Sequence, residues 1–435
     1  MKKVYIRTFG CQMNVHDSEK MLGVLQKDGY LETDDPRKAD LIIFNTCGIR
    51  KKPEQKFYSE LGKTKLYKKR RPELKVAVAG CIAQHEGRSV FTKAPYVDFI
   101  FGPQNIHMLH DMISKKNLTL ALEDNPEIAK NDLPVKRADE VKAWVTIMYG
   151  CNNFCSYCVV PYTRGRERSR PSENICAETK ELAHRGYKEV TLLGQNVNSY
   201  RSDINFPELL IKIDRVGGIE RIRFVTSHPR DLSDELIYAI AELPRVCEHI
   251  HLPLQSGSNN VLRLMNRGYT YEDYIKKVLR LRDKVQGIAI TSDIIAGFPG
   301  ETEDDHLHTV KALKQIEFDG IFSFKFSSRP GTRAAEMGSH LPEEVKSERL
   351  QHILEVQEEI TERKNRSLEG TTQAILIEGE SETDKEKLTG RTRTNKIVNI
   401  PKVDPETSSG EKGTLINVEV TKGRKHSLEG RPITK

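Results

Sequence analysis

YGCNNFCSYCVVPYTRGRERSR, residues 149–170, places Cys151, Cys155 and Cys158 within eight positions and follows them with Arg164, Arg166, Arg168 and Arg170. A closed structural zinc site wants a fourth Cys or His at finger-like spacing. The next candidates, Cys176 and His184, sit in PSENICAETKELAHRG, where Ile175, Cys176, Thr179, Leu182 and Ala183 share one helical face. Cys176 therefore reads as a core residue, and so does Cys247 in VCEHIHLPL. The three-cysteine set is open. An iron–sulfur cluster is usually held by four thiolates, so three leave one iron free for an outside chelator.

Working outward, WVTIMYGC, EVTLLGQN, RIRFVTSHP, HIHLPLQSGS, IAITSDIIAGFPGE and GIFSFKFSSRPG each read as a buried strand ending in small or polar residues. Helical stretches separate most of them. Six such units predict an incomplete (β/α)6 barrel over 139–368, with functional groups at the carboxyl ends of its strands. Upstream, VYIRTFGC, ADLIIFNTC, LKVAVAGC and VDFIFGP alternate with amphipathic stretches over 1–122, which predicts an open parallel α/β sheet. A polar, Pro-containing linker, 123–138, joins the two. Downstream, 369–435 shows strand-like runs separated by Gly, Asn and Ser turns, which predicts a small antiparallel β-barrel.

Composition limits the function classes. With 37% hydrophobic and 30% charged residues the chain reads as soluble and globular. MKKVYIRTFGCQMN lacks the apolar core of a secretory signal, and no apolar run approaches the ~18 residues of a membrane span. A cytoplasmic setting is expected, in which the eight cysteines would stay reduced and be metal ligands, reactive thiols or core residues. The net charge of +7 permits nucleic-acid binding without requiring it.

A second set is dispersed in sequence. Cys11 in TFGCQ, Cys47 in FNTCG and Cys81 in VAGCI each close a predicted parallel strand. The carboxyl ends of such strands line one crevice, so the three thiols are expected to converge and to hold a second, auxiliary cluster.

The Cys-x3-Cys-x2-Cys spacing resembles the signature of radical S-adenosylmethionine enzymes, and the whole chain resembles the methylthiotransferases. FGCQMNVHDSE, CVVPYTRGRERSRP, LLGQNVNSY and LPLQSGSNNVL are similar to motifs of the members that act on tRNA, while NTCGIR stands where that group carries NTCSIR. The resemblance implies three domains: a methylthiotransferase domain, a radical barrel and an RNA-binding TRAM barrel. It implies two 4Fe-4S clusters, one on Cys11, Cys47 and Cys81 and one on Cys151, Cys155 and Cys158, with S-adenosylmethionine chelated by the free iron of the second. It also implies methylthiolation at C-2 of a prenylated adenosine 37 in the tRNA anticodon loop, using two S-adenosylmethionine molecules, an electron donor and a sulfur source. The chain is expected to be a monomer. Two alternatives stand: the sister activity on an aspartate of a ribosomal protein, and a zinc-dependent nucleic-acid-binding protein.

For S-adenosylmethionine the strand-end candidates are Gly194, Gln195, Asn196, Ser227, His228, Gln255, Ser256, Ser292 and Asp293, each with a second reading as a mouth residue bonded to its neighbours. For tRNA phosphates the candidates are Arg164, Arg166, Arg168 and Arg170, with Arg391, Arg393, Lys396, Lys422, Arg424 and Lys425 on two predicted hairpins of the last domain. Tyr162 has two readings, stacking on a base or packing in the core. GFPGE (297–301) looks like a phosphate loop but follows a late barrel strand, so its glycines are expected to allow close backbone approach.

Overall fold

The apolar runs of the first hundred residues pair side by side as parallel strands. A computed structural model describes residues 1–48, 51–115, 118–402 and 410–433. The N-terminal strands are β1 (Lys2–Thr8), β2 (Tyr30–Glu32), β3 (Leu41–Thr46), β4 (Lys75–Gly80), β5 (Phe99–Phe101) and β6 (Thr119–Ala121), in sheet order β2-β1-β3-β4-β5-β6. Both faces are covered. Ile42, Phe44, Val76 and Val78 pack on one side, and Leu41, Ile43, Ala77 and Ala79 on the other. This is why β3 and β4 read as continuous apolar runs. The short outer strands β2 and β6 were not foreseen from the sequence.

The predicted linker is tied down along its length. Lys136 N–H donates to the Glu19 carbonyl and Ala138 N–H to Glu19 Oε1, both at 3.0 Å. Gly23 lets the linker lie directly on the first helix, since a Cβ there would stand 2.2 Å from the Pro134 carbonyl oxygen.

The central domain carries the six expected strands: β7 (Lys142–Thr146), then, after the short ribbon β8 (Met148–Tyr149) and β9 (Arg168–Ser169), β10 (Glu189–Leu193), β11 (Arg221–Phe224), β12 (His249–His251), β13 (Ala289–Ala296) and β14 (Gly320–Lys325). They form two parallel sheets, β7-β10-β11 and β12-β13-β14, bridged by the pairing of Ile222 with Val246. The result is a partial barrel around Val145, Val190, Leu192, Ile222, Ile250 and Ile290. Helix starts are written locally. Asn205 with Glu208, Thr270 with Asp273 and Thr302 with Asp305 each form a reciprocal capping box. The expected core cysteines divide, with Cys247 buried and Cys176 only partly so.

The last domain is a closed barrel, β15 (Thr372–Glu380), β16 (Lys387–Thr392), β17 (Ile397–Pro401), β18 (Leu415–Gly423) and β19 (Leu428–Pro432), in the order β15-β16-β17-β19-β18. It is not wholly antiparallel, because β17 and β19 run parallel. Two arginines of β11 hold it to the central domain. Arg221 donates to the carbonyls of Arg391 (2.6 Å) and Ala374 (2.9 Å), and Arg223 to those of Arg393 (2.8 Å) and Thr392 (2.7 Å). Arg223 Nε also pairs with buried Glu189 at 2.8 Å. Removing one partner of a buried pair strands the other charge, so Arg223→Ala is expected to cost about 3–5 kcal/mol in a denaturant titration, and a loss below about 1 kcal/mol would contradict this role. Among the described residues no helix is long and apolar enough to cross a membrane.

Candidate cluster and substrate site

Cys11, Cys47 and Cys81 come together because β1, β3 and β4 are neighbours that end level. Thr8 pairs with Asn45 and Thr46 with Gly80. Cys47 follows Thr46, Cys81 follows Gly80, and Cys11 caps the helix Gln12–Lys27. Gly10, at φ +114°, leaves space for a thiol: a Cβ there would stand 2.4 Å from Cys47 Cβ and 2.8 Å from its Sγ. A buried polar clamp fixes the three turns. Asn14 Nδ2 donates to the carbonyls of Phe9 and Thr46, both at 2.8 Å, and Asn45 Nδ2 donates to the Asn14 carbonyl at 2.7 Å. Thr46 Oγ1 donates to the Ala79 carbonyl at 2.5 Å and accepts the Ile82 N–H at 3.2 Å, securing the Cys81 turn. None of Gly10, Asn14, Asn45 or Thr46 was singled out from the sequence. The available signal was a small or amide residue beside each cysteine in FGCQMN, FNTCG and VAGC.

The second set lies on the loop after β7 and β8. Phe154, between Cys151 and Cys155, adopts φ 46°, a left-handed conformation that a bulky residue keeps only where its surroundings impose it. Burial pushes the Cys151 thiol up to about 11, with Glu167 and Cys155 adding. Burial likewise takes Cys158 to about 12, with Cys155 adding. Buried thiols of this kind ionise when a metal cation takes the proton's place. None of the eight cysteines is in a disulfide. Among the described residues no three His, Cys, Asp or Glu side chains are grouped to hold one metal ion. A 4Fe-4S cluster asks for a different arrangement, one thiolate per iron, and two sets of three reduced thiols are its donor chemistry.

Arg164 joins the two sets. It follows the Cys158 loop, yet its Nη2 reaches Asn14 Oδ1 and Asp17 Oδ2, both at 2.8 Å, on the helix that Cys11 caps. Burial alone would lower its pKa, but Asp17 and the Cys81 and Cys11 sulfurs outweigh that and raise it. The loop that carries the second set is therefore held against the turns of the first, at the seam between the first and central domains. His85 Nε2 on the Pro330 carbonyl (3.0 Å) ties the same seam, and inside the central domain Ala334 N–H donates to the Ser156 carbonyl at 2.8 Å, bracing the cluster loop.

At the barrel mouth the nine strand-end residues divide. Gln195 Nε2 and Oε1, Asn196 Oδ1, Ser227 Oγ, His228 Nε2 and Gln255 Oε1 are buried without a hydrogen-bond partner. Unmade buried hydrogen bonds cost about 1–3 kcal/mol each, so their gathering at one mouth fits a polar ligand. His228 Nδ1 accepts the Arg230 N–H at 3.2 Å, which puts the proton on Nε2. Burial, with Arg267, Arg230 and Lys277 adding, lowers its pKa to about 2, so it faces the mouth as a neutral donor. Thr226 (φ 70°) and Gln255 (φ 72°) hold left-handed backbone there. The other four are occupied. Gly194 packs beneath Met148, Ser256 meets Thr309 Oγ1 at 3.2 Å, Ser292 accepts the Leu254 N–H at 2.8 Å, and Asp293 faces His251 at 3.5 Å.

The ten basic residues expected to meet phosphate also divide. Arg164 and Arg170 are only 5% and 6% exposed. Arg170 is spent on Glu178, Asp132 and the Thr146 carbonyl, each at 2.7 Å. Both are internal braces, a correction to the phosphate role expected of them, because neither guanidinium reaches solvent. Arg393 forks Glu248 and caps the carbonyls of Pro244 and Val246, so it docks the last barrel. Lys396 is likewise turned inward, onto Asn365 and Asp319. Arg168 pairs with Asp124, Arg391 with Glu378, Arg424 with Glu429 and Lys425 with Glu358. Lys422 and Arg166 are exposed. Arg166 lies over the Phe154 ring at 4.3 Å, and Phe154 meets Tyr162 edge-on at 6.0 Å. Tyr162 is 58% exposed, which leaves its ring free to stack rather than packed in the core.

Three family models match in order along the chain: Uncharacterized protein family UPF0004 over residues 3–102, Radical SAM superfamily over 145–313, and TRAM domain over 366–433. The chain is 56% identical over 431 residues to the tRNA-2-methylthio-N(6)-dimethylallyladenosine synthase of Thermodesulfovibrio yellowstonii, covering 99% of this chain and 98% of that one. It is 47% identical to the protein of the same name from Thermoanaerobacter pseudethanolicus, covering 98% and 92%. The chain belongs to the tRNA-2-methylthio-N(6)-dimethylallyladenosine synthase family. It is a radical S-adenosylmethionine enzyme, and its cofactors are 4Fe-4S clusters and S-adenosylmethionine. In overall fold it is similar to a radical S-adenosylmethionine methyltransferase from Kitasatospora setae solved with cobalamin and a [4Fe-4S] cluster, at a TM-score of 0.59, 16% identity and 77% of each chain covered.

Proposed function

We propose that the chain adds a methylthio group to C-2 of prenylated adenosine 37 in tRNA, with Cys151, Cys155 and Cys158 holding the radical cluster and Cys11, Cys47 and Cys81 the auxiliary one. What supports this reading is that Arg164, from the segment after one set of free cysteines, is buried against the helix and sulfurs of the other at the interdomain seam. When bound, the two clusters supply the electron for reductive cleavage of one S-adenosylmethionine and the sulfur that a second one methylates. The balance requires an external electron donor and a sulfur source.

The chain's own groups bind and orient. Gln195, Asn196, Ser227, neutral His228 and Gln255 offer unspent hydrogen bonds to S-adenosylmethionine at the barrel mouth. An aromatic C–H has no useful acidity, so a side-chain base could not remove it; the hydrogen at C-2 would leave on the deoxyadenosyl fragment of the cleaved S-adenosylmethionine, as 5′-deoxyadenosine. Extrusion of the adenosine from the anticodon loop brings it to the seam. Exposed Arg166 and Tyr162, on either side of half-buried Phe154, suit a phosphate and a neighbouring base. Arg166→Ala is expected to weaken tRNA binding and to reduce the slope of log K against log salt by about 0.7–0.9. An unchanged slope in a binding titration would remove Arg166 from the interface.

The deciding assay incubates reduced, reconstituted enzyme with prenylated tRNA, sulfide and S-adenosylmethionine, followed by nucleoside mass spectrometry. Methylthiolated prenyladenosine is the expected product. Unmodified tRNA, with the methylthio group found on a ribosomal-protein aspartate instead, would transfer the chain to the sister activity.

A further inference from the structure

Arg267 is 4% exposed, in the turn after the helix Asn259–Leu264. Its Nε donates to Tyr269 Oη at 3.0 Å and its Nη2 to the Pro253 carbonyl at 3.0 Å. Its Nη1 points at Cys155 Sγ, 3.3 Å away, with Tyr157 Oη at 3.4 Å. Among the described residues no carboxylate pairs with it; the groups that act most on its charge are Tyr157, Tyr269 and Cys155, and Arg267 in turn favours the thiolate of Cys158. A buried cation with no counter-charge is costly. Two phenol hydroxyls and a carbonyl orient the guanidinium without neutralising it. The hydrogen-bonded neighbour that becomes an anion in the working enzyme is the Cys155 sulfur.

We infer that Arg267 is the internal counter-ion of the cluster held by Cys151, Cys155 and Cys158 and that, through its N–H···S contact with Cys155, it raises that cluster's reduction potential. One-electron reduction adds a negative charge to a centre already carrying three thiolates. A fixed positive charge and a hydrogen bond to a ligand sulfur stabilise the more negative state, and both are established levers on cluster potential. The electron comes from an external one-electron reductant. Arg267 is a positioning residue: it acts on the cluster through Cys155. The inference rests on the proposed assignment of this triad to a 4Fe-4S cluster.

The test is an EPR-monitored titration with dithionite on full-length protein in which Cys11, Cys47 and Cys81 are replaced by Ala, so that one cluster reports. If that parent binds no four-iron cluster, the assignment fails and the question of Arg267 does not arise. Given a loaded parent, Arg267→Met is expected to lower the ratio of reduced to oxidised cluster at fixed ambient potential about tenfold, equivalent to about 59 mV for a one-electron couple. Arg267→Gln, which keeps an N–H donor without the charge, is expected to shift in the same direction by less. An unchanged midpoint in a Met variant with full iron overturns the inference. If the Met variant does not retain iron, the Gln variant decides, and an unchanged midpoint there overturns it equally. Loss of iron from both variants with an unchanged far-UV CD spectrum also overturns it, assigning Arg267 to cluster retention alone.

Discussion

Replacing Cys151 by Ala is expected to abolish reductive cleavage of S-adenosylmethionine, and methylthio transfer with it, whereas Cys47→Ala is expected to leave cleavage intact and stop transfer. The two cysteines lie on different elements, one on the barrel loop and one at the tip of β3. Each belongs to a triad with its own scaffold. The Asn14, Asn45 and Thr46 clamp holds the turns of the first set, and Arg267 touches the second. Loss of one thiolate should therefore disable one centre and spare the other. The check is 5′-deoxyadenosine counted by liquid chromatography beside methylthiolated nucleoside counted by mass spectrometry. Equal loss of both products in the two variants would contradict a division of labour between the triads.

A change far milder than removing a ligand is expected to have a comparable effect. Gly10→Ala adds one methyl group where Cys47 Cβ and Sγ already stand, at 2.4 and 2.8 Å, on backbone at φ +114° that L side chains rarely adopt. Either Cys47 moves or the Cys11 turn does, and each outcome opens the cage. Iron content should fall from about eight to about four per chain, with methylthio transfer lost and S-adenosylmethionine cleavage retained. Gly29→Ala is the control. Gly29 also has positive φ (+77°), but a Cβ there meets nothing within 4 Å, so strain alone is present and full iron is expected. A Gly10→Ala protein with full iron and full activity would show that the thiols do not depend on this turn.

The elements legible in the sequence were those whose signal is local. Six barrel strands could be placed because each buried run ends in polar mouth residues. The parallel pairing of β17 with β19 was illegible because strand register between distant segments leaves no local mark. Three-residue strands such as β2 and β6 are too short to carry a period. The arginines after Cys158 show the limit most plainly. Charge in a string does not say which way a side chain points, and the alternation Arg164, Arg166, Arg168, Arg170 placed both ends inward as braces and left Arg166 exposed. The mouth residues Gln195, Asn196, Ser227, His228 and Gln255 were nameable from their strand ends. Only the structure separated them, as groups with unspent hydrogen bonds, from saturated neighbours such as Ser256 and Ser292.

Iron counting on three proteins tests the two-cage account most directly: the unaltered chain, Cys11→Ala/Cys47→Ala/Cys81→Ala, and Cys151→Ala/Cys155→Ala/Cys158→Ala, each reconstituted anaerobically and analysed for iron, sulfide and zinc. About eight irons in the first and about four in each of the others, with EPR spectra that sum to the first, are expected of two independent 4Fe-4S sites. Zinc in place of iron, or loss of all iron from either triple variant while the other keeps about four, would contradict it.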